Sequence, residues 1–210
     1  MEKRNIFVTV SIVGIMIAVS AILYRSIEKQ PARLNNNNTG AIAATTSEKT
    51  SEETSNSLLN KPAPDFSLAD RTGKVYSPES LRGKNIILFF NEGLMCYPSC
   101  WNQIVELAKD ERFKNTDTVA LSVVVDSPEE WQNAIGKMQE LAKATVVFDE
   151  GGAVSRKFGM LTTPSSMHYG MFPGHSYILI DKQGIVRHIL DDPNMGIHND
   201  QLVEQINKFN

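Results

Sequence analysis

The sequence predicts a mixed α/β sandwich, a central sheet flanked by helices, and three observations carry the prediction. Apolar runs of strand length ("IILFF" at 86–90, "VALSVVVD" at 119–126, "ATVVFD" at 144–149) alternate with segments whose apolar residues recur at helical spacing. The late segments "HSYILID" and "KQGIVRHIL" flank "DKQG", a hairpin turn signal. A helical segment from Asn199 then closes the chain. Strands alternating with helices and ending in an antiparallel hairpin and a helix form a sheet covered on its faces by helices.

The 210 residues suffice for one domain with a full core and additional sequence. In chain order, Lys3 and Arg4 precede residues 6–24, "IFVTVSIVGIMIAVSAILY", nineteen residues without a charge. That length spans a hydrocarbon core of about 30 Å at about 1.5 Å per helical residue. A cleaved signal peptide competes, since "AVSA" at 18–21 has the small residues of a cleavage site. The apolar run continues past it through Ile22, Leu23 and Tyr24, which favours an uncleaved anchor over 1–25. Basic residues stand on both sides of the run (Lys3 and Arg4; Arg25, Lys29 and Arg33), so charge alone does not orient it. The short basic leader and the thiol pair further on place the C-terminal domain outside the cytoplasm. Residues 26–60, with "NNNN" at 35–38 and "TTSEKTSEETSNS" at 45–57, are too polar to bury a core and read as a flexible tether.

The globular domain occupies 61–210. "PAPDFSLADRTGKVYS" predicts two short strands joined by a turn at "RTGK". "SPESLRGK" predicts a short helix capped by Ser77, with Pro78 in its first turn and Gly83 at its end. The run at 86–90 has the continuous apolar character of a strand buried on both faces. "WNQIVEL" from Trp101 is helical, and "SPEEWQNAIGKMQELAK" opens with a Ser127–Glu130 capping-box pattern. "GAVSRKFG" predicts a short helix ending at Gly159, and Pro173 a turn or a cis bond.

Net charge −3 offers nothing to a phosphate backbone, so nucleic acid is not an expected partner. No glycine-rich phosphate loop is present, and no organic cofactor is implied. Both cysteines lie in "NEGLMCYPSCW" at 91–101, directly after the buried strand. Two cysteines cannot build a disulfide scaffold, so a closely spaced pair points to reactive thiols or metal ligands. Cys96 falls at the junction of strand and helix, where unpaired N–H groups and the helix dipole lower a thiol pKa from about 8.5. Cys100, one turn on, is within reach for a disulfide or for shared metal ligation. The bland alternative is a pair of small buried apolar residues.

The segments "APDFSLAD", "GKVYS" and "LRGKNIILFF" before Cys96 and "HSYILIDKQGIVR" near the end resemble the thioredoxin-fold redoxin family, peroxiredoxin-like and of AhpC/TSA type, over 61–210. The resemblance implies a thioredoxin-like sandwich and a thiol–disulfide oxidoreductase that cycles Cys96 and Cys100, with a partner thiol or disulfide protein, or a hydroperoxide, as substrate. Cys96 would attack as thiolate and Cys100 would resolve. Peroxiredoxins carry a proline and a threonine seven and three residues before the attacking cysteine; here Phe89 and Gly93 stand there. The Cys-x-x-x-Cys spacing is similar to that of Sco-type copper-delivery proteins, which adds an alternative: a copper chaperone using Cys96, Cys100 and His175. Aligned on the "LID" that follows, His175 falls where this fold faces the cysteine helix. Its imidazole would then ligate copper, or serve the thiols as base or counterion. Among weaker candidates, Met160, Met167, His168 and Met171 on a long loop could line the site or bind a soft metal, although methionines usually fill gaps. Glu92 could act on Cys96, Trp101 could shield the thiols, and His198 reads as a surface residue in a capped turn.

Overall fold

The computed structural model of the protein describes residues 57–209. The expected anchor over 1–25 lies outside them, as does the tether apart from its last residues. Among the described residues no helix is long and apolar enough to cross a membrane.

One seven-stranded mixed sheet organises the domain. It consists of β1 (Leu68–Asp70), β2 (Val75–Tyr76), β3 (Asn85–Phe90), β4 (Thr118–Val124), β5 (Val146–Phe148), β6 (Ser176–Ile180) and β7 (Val186–Asp191), in the order β2-β1-β5-β4-β3-β6-β7. β3, β4 and β5 are parallel; β6 pairs antiparallel with β3, and β7 antiparallel with β6. The helices are α1 (Ser99–Lys109), α2 (Glu111–Asn115), α3 (Pro128–Lys137), α4 (Ala153–Lys157) and α5 (Asn199–Asn207).

Strand periodicity divides the core in two. Ile87 and Phe89 of β3, with Tyr177 and Leu179 of β6, face Trp101 and Ile104 of α1, Trp131 of α3 and Ile206 of α5. Ile86, Leu88 and Phe90 face the opposite side, against Phe66, Val154 and Phe158. All six residues of β3 are buried, which accounts for the unbroken apolar run that marked it in the sequence.

The capping box forms as expected: Ser127 Oγ accepts from Glu130 N, and Glu130 accepts from Ser127 N. The helix expected over 77–83 does not form. Ser77 and Ser80 exchange bonds, each backbone N–H donating to the other's hydroxyl oxygen at 2.9 and 3.2 Å. These are the reciprocal bonds of a helix cap, so Ser77 caps as expected, but the segment goes on only as a run of turns that Gly83 ends at φ +80°. Pro173 is not the cis residue; among the described residues the cis peptide is Tyr97–Pro98.

Replacing Ser127 by Ala removes the cap remote from the cysteines. Denaturant unfolding should show a loss of about 1 kcal/mol, with the Cys96–Cys100 redox behaviour unchanged.

Candidate functional site

The parallel strands β3 and β4 end side by side, and the chain leaving β3 builds the cysteine turn. Asn91 stitches the two ends: its Nδ2 donates to Phe89 O and Val123 O, and its Oδ1 accepts from Gly93 N. A 3-10 turn, Gly93–Met95, delivers Cys96, whose N–H donates to Gly93 O at 3.2 Å. Trp101 pins the same carbonyl through its indole N–H at 3.0 Å and so fastens the turn.

Cys96 and Cys100 are joined in a disulfide with Cα atoms 5.4 Å apart. Cys96 stands three residues before Ser99, the first helical residue, so it precedes the helix, whereas Cys100 lies within its first turn. Both are buried, at 3 % and 1 % exposure.

His175, just before β6, meets this pair from the neighbouring strand. Its Nδ1 lies 3.4 Å from Cys100 Sγ, while Nε2 is 3.1 Å from Gly196 O and 2.8 Å from the Tyr177 hydroxyl. A carbonyl oxygen only accepts, so Nε2 carries the ring proton and Nδ1 turns its lone pair towards Cys100. Burial pushes the imidazole pKa down to about 4, which keeps the ring neutral at ordinary pH. The Phe89 ring packs edge-on at 4.7 Å and excludes water from it. Cys96, Cys100 and His175 thus present ligand atoms all within 4.8 Å of one another.

The other sequence candidates separate. Met160 packs in the core on the sheet face opposite the cysteines, while Met167 and Met171 are exposed at 60 % and 69 %. Glu92 is buried, but it turns away to the long loop, accepting from Met167 N, His168 N and His168 Nδ1 at 2.6, 3.1 and 3.0 Å. Its role is to strap that loop down. His198 is not a free surface residue: its ring bonds Asp192 Oδ2 at 2.7 Å and Gln201 Oε1 at 3.1 Å.

Sequence reasoning missed three contributors. Met195 places Sδ 3.7 Å from Cys96 Sγ, and Gly196 supplies the carbonyl that orients His175. Both lie in a turn built around Asp192, which accepts from Asn194 N, Gly196 N and His198 Nε2. Against the upward push of burial, these donors hold its carboxyl at about 2. "DDPNMGIHND" carried only a turn signal, which gives no hint of what the turn faces. The third is Asp126, just beyond β4, whose Oδ2 accepts from Leu94 N at 3.1 Å. A Cβ on Gly93 would fall 1.7 Å from that oxygen, and Gly93 has φ +57°. The carboxyl therefore fills the space a threonine side chain at 93 would need.

The AhpC/TSA family profile matches residues 59–189. Chloroplastic peroxiredoxin Q of Triticum aestivum is 28 % identical over 130 residues, 61 % of this chain and 57 % of that protein's length. Peroxiredoxin Bcp of Escherichia coli K12 is 28 % identical over 146 residues, 66 % of this chain and 88 % of the relative. Among solved structures, peroxidoxin BcpB of Mycobacterium tuberculosis superposes with a TM-score of 0.60 at 17 % identity, covering 72 % of this chain and 97 % of that one. The mitochondrial 2-Cys peroxiredoxin of Plasmodium falciparum gives a TM-score of 0.59 at 23 % identity, covering 72 % and 93 %. These superpositions show the fold, a thioredoxin-like α/β sandwich.

Two measurements probe the Gly93–Asp126 contact. Gly93→Ala should lower unfolding stability by about 2 kcal/mol, and Asp126→Ala in the same chain should recover part of that loss in a double-mutant cycle. Burial raises the Asp126 pKa from 3.8 to about 6. The folded state therefore holds this proton more tightly than the unfolded chain, and stability should fall as pH rises through that interval. Asp126→Asn should lack that fall in pH-dependent denaturation.

Proposed function

The chain belongs to the AhpC/TSA family, and from that premise we propose that it is a redoxin-type thiol–disulfide oxidoreductase cycling Cys96 and Cys100 between dithiol and disulfide. The observation that carries this reading is the Cys96–Cys100 bond lying against the His175 lone pair. In the reducing direction, the Cys96 thiolate attacks one sulfur of a partner disulfide and expels the other as thiolate. His175 Nδ1 takes the proton of Cys100, whose thiolate attacks Cys96 in the mixed disulfide. The Cys96–Cys100 bond re-forms, the partner leaves as a dithiol, and two electrons have passed to it.

The surroundings support a protein partner. Six of the eight large exposed apolar side chains among the described residues (Met95, Tyr97, Met167, Tyr169, Met171 and Ile197) belong to the three loops that meet at the site. A protein surface can cover such a rim. Peroxide reduction is a sub-case: Cys96 thiolate takes one peroxide oxygen as sulfenic acid, an alcohol departs, and Cys100 displaces water to give the disulfide. The uncharged run at 6–24 and the polar stretch after it support tethering to a membrane, with the domain on its extracytoplasmic side.

A second reading rests on the ligand atoms of Cys96, Cys100 and His175 lying within 4.8 Å. Once two electrons reduce the disulfide, two thiolates and a neutral imidazole form a donor set that fits copper, and these three residues would hold it. Copper would there be bound for delivery.

With the reduced full chain in detergent and a protein disulfide as substrate, Cys96→Ser should abolish turnover and Cys100→Ser should accumulate a mixed disulfide on gel electrophoresis. His175→Phe should slow closure of the Cys96–Cys100 bond about a hundredfold. Unchanged turnover in Cys96→Ser would sink the oxidoreductase reading. Hydroperoxide consumption should depend on Cys96; its absence with every reductant would remove the peroxide branch alone. For the copper reading, one equivalent of Cu(II) should give thiolate charge-transfer absorption, and an unchanged spectrum with no metal retained would remove it.

A further inference from the structure

Met195 stands at the cysteine pair without a part in the exchange chemistry, and its placement matches that of a ligand. We propose that Met195 is a fourth, thioether ligand that completes, with Cys96, Cys100 and His175, a four-coordinate site for a soft monovalent metal ion of the Cu(I) type. This inference rests on the copper reading of the same site and specifies it.

The distances carry the argument. A tetrahedral centre with bonds of about 2.3 Å to sulfur and about 2.0 Å to nitrogen holds its ligand atoms roughly 3.5–3.8 Å apart. Met195 Sδ lies 3.7 Å from Cys96 Sγ, and His175 Nδ1 lies 3.4 Å from Cys100 Sγ. Two edges of such a polyhedron therefore stand close to their required lengths while the cysteines are still bonded. Reduction frees Cys96 and Cys100 to separate to non-bonded contact and supplies a third edge, the second between sulfurs.

The supporting turn is built for both roles at once. Met195 holds a left-handed backbone, φ +54°, which few non-glycine residues adopt unless the surroundings impose it. Asp192 imposes it: Met195 N donates to Asp192 O at 3.1 Å, and Gly196 N to Asp192 Oδ2 at 2.6 Å. The next carbonyl, that of Gly196, accepts from His175 Nε2, the outer bond that fixes the tautomer of a ligating imidazole. One turn thus presents the thioether and aims the nitrogen. Thiolates and a thioether select a soft ion, and a hard or borderline divalent ion gains little from the thioether.

The test uses the full chain, reduced, in detergent, as wild type and as Met195→Leu, a swap that keeps apolar volume. Cu(I) is titrated in competition with a chromophoric Cu(I) chelator, and copper-edge X-ray absorption counts the sulfur neighbours. The expected result is three sulfurs and one nitrogen in wild type, two sulfurs in Met195→Leu, and an affinity loss of about tenfold or more. Zn(II) affinity should not change, and the thermal unfolding of the oxidised variant should match wild type. Equal Cu(I) affinity and equal sulfur count in the two proteins would overturn the Met195 assignment and leave the three-ligand copper reading standing. An equal loss of Zn(II) affinity would overturn it too, by showing a structural effect. Failure of the wild type to retain Cu(I) at all would remove the copper reading and this inference with it.

Discussion

The neutral imidazole of His175 is the joint on which the site depends. Three chain segments distant in sequence meet there: α1 through Cys100, β6 through His175 itself with Tyr177, and the turn before α5 through Gly196. The joint works only because it is dry. Burial drives the pKa to about 4, so the ring keeps one donor for the Gly196 carbonyl and one lone pair for Cys100. A protonated ring would carry two donors and lose the lone pair that faces Cys100. The packing of Phe89 against both His175 and Tyr177 thus serves the electrostatics as well as the core.

Sheet topology explains why these segments meet. Parallel strands β3 and β4 send their C-terminal ends to one edge, which brings the cysteine turn beside Asp126. Antiparallel β6 begins at that edge, so the residue before it, His175, is placed opposite the thiols. The site is therefore made by strand ends rather than by a cavity, in keeping with where open α/β sheets hold their functional groups. The small loops then need local fastening, supplied by Asn91 for the cysteine turn, Glu92 for the long loop and Asp192 for the last turn.

The strands were legible because burial on both faces leaves no polar residue in the run, as in "IILFF", and the α3 start because a capping box is a local device. The short helix expected at 77–83 stopped at its cap: the Ser77–Ser80 bonds form, but the segment is too short for cooperativity to carry it on. Cys96, Cys100 and His175 were found from residue type and the position that the family resemblance assigned. Met195, Gly196 and Asp126 were not, because nothing local distinguishes a methionine in a turn or an aspartate after a strand. Their importance comes from contacts spanning 99 residues for Met195 and 32 for Asp126. Glu92 shows the converse, since nearness in sequence to Cys96 suggested an interaction that its hydrogen bonds direct elsewhere.

The departure at Gly93 bears directly on which electrophile this thiol suits. A threonine hydroxyl would offer a donor to an incoming peroxide oxygen; here the space is taken by the Asp126 carboxyl, one oxygen of which already accepts from Leu94 N. The position has exchanged a donor for substrate oxygen against an acceptor that fixes the cysteine turn. Peroxide cleavage develops negative charge on oxygen and depends on donors aimed at it. Thiol–disulfide exchange passes charge between sulfurs, which are weak hydrogen-bond acceptors, and loses little when an oxygen-directed donor is absent. A nearby carboxyl that ionises near pH 6 also opposes further anionic charge in the turn. This one exchange supports the proposed sulfur chemistry at Cys96 over the peroxide branch of that proposal.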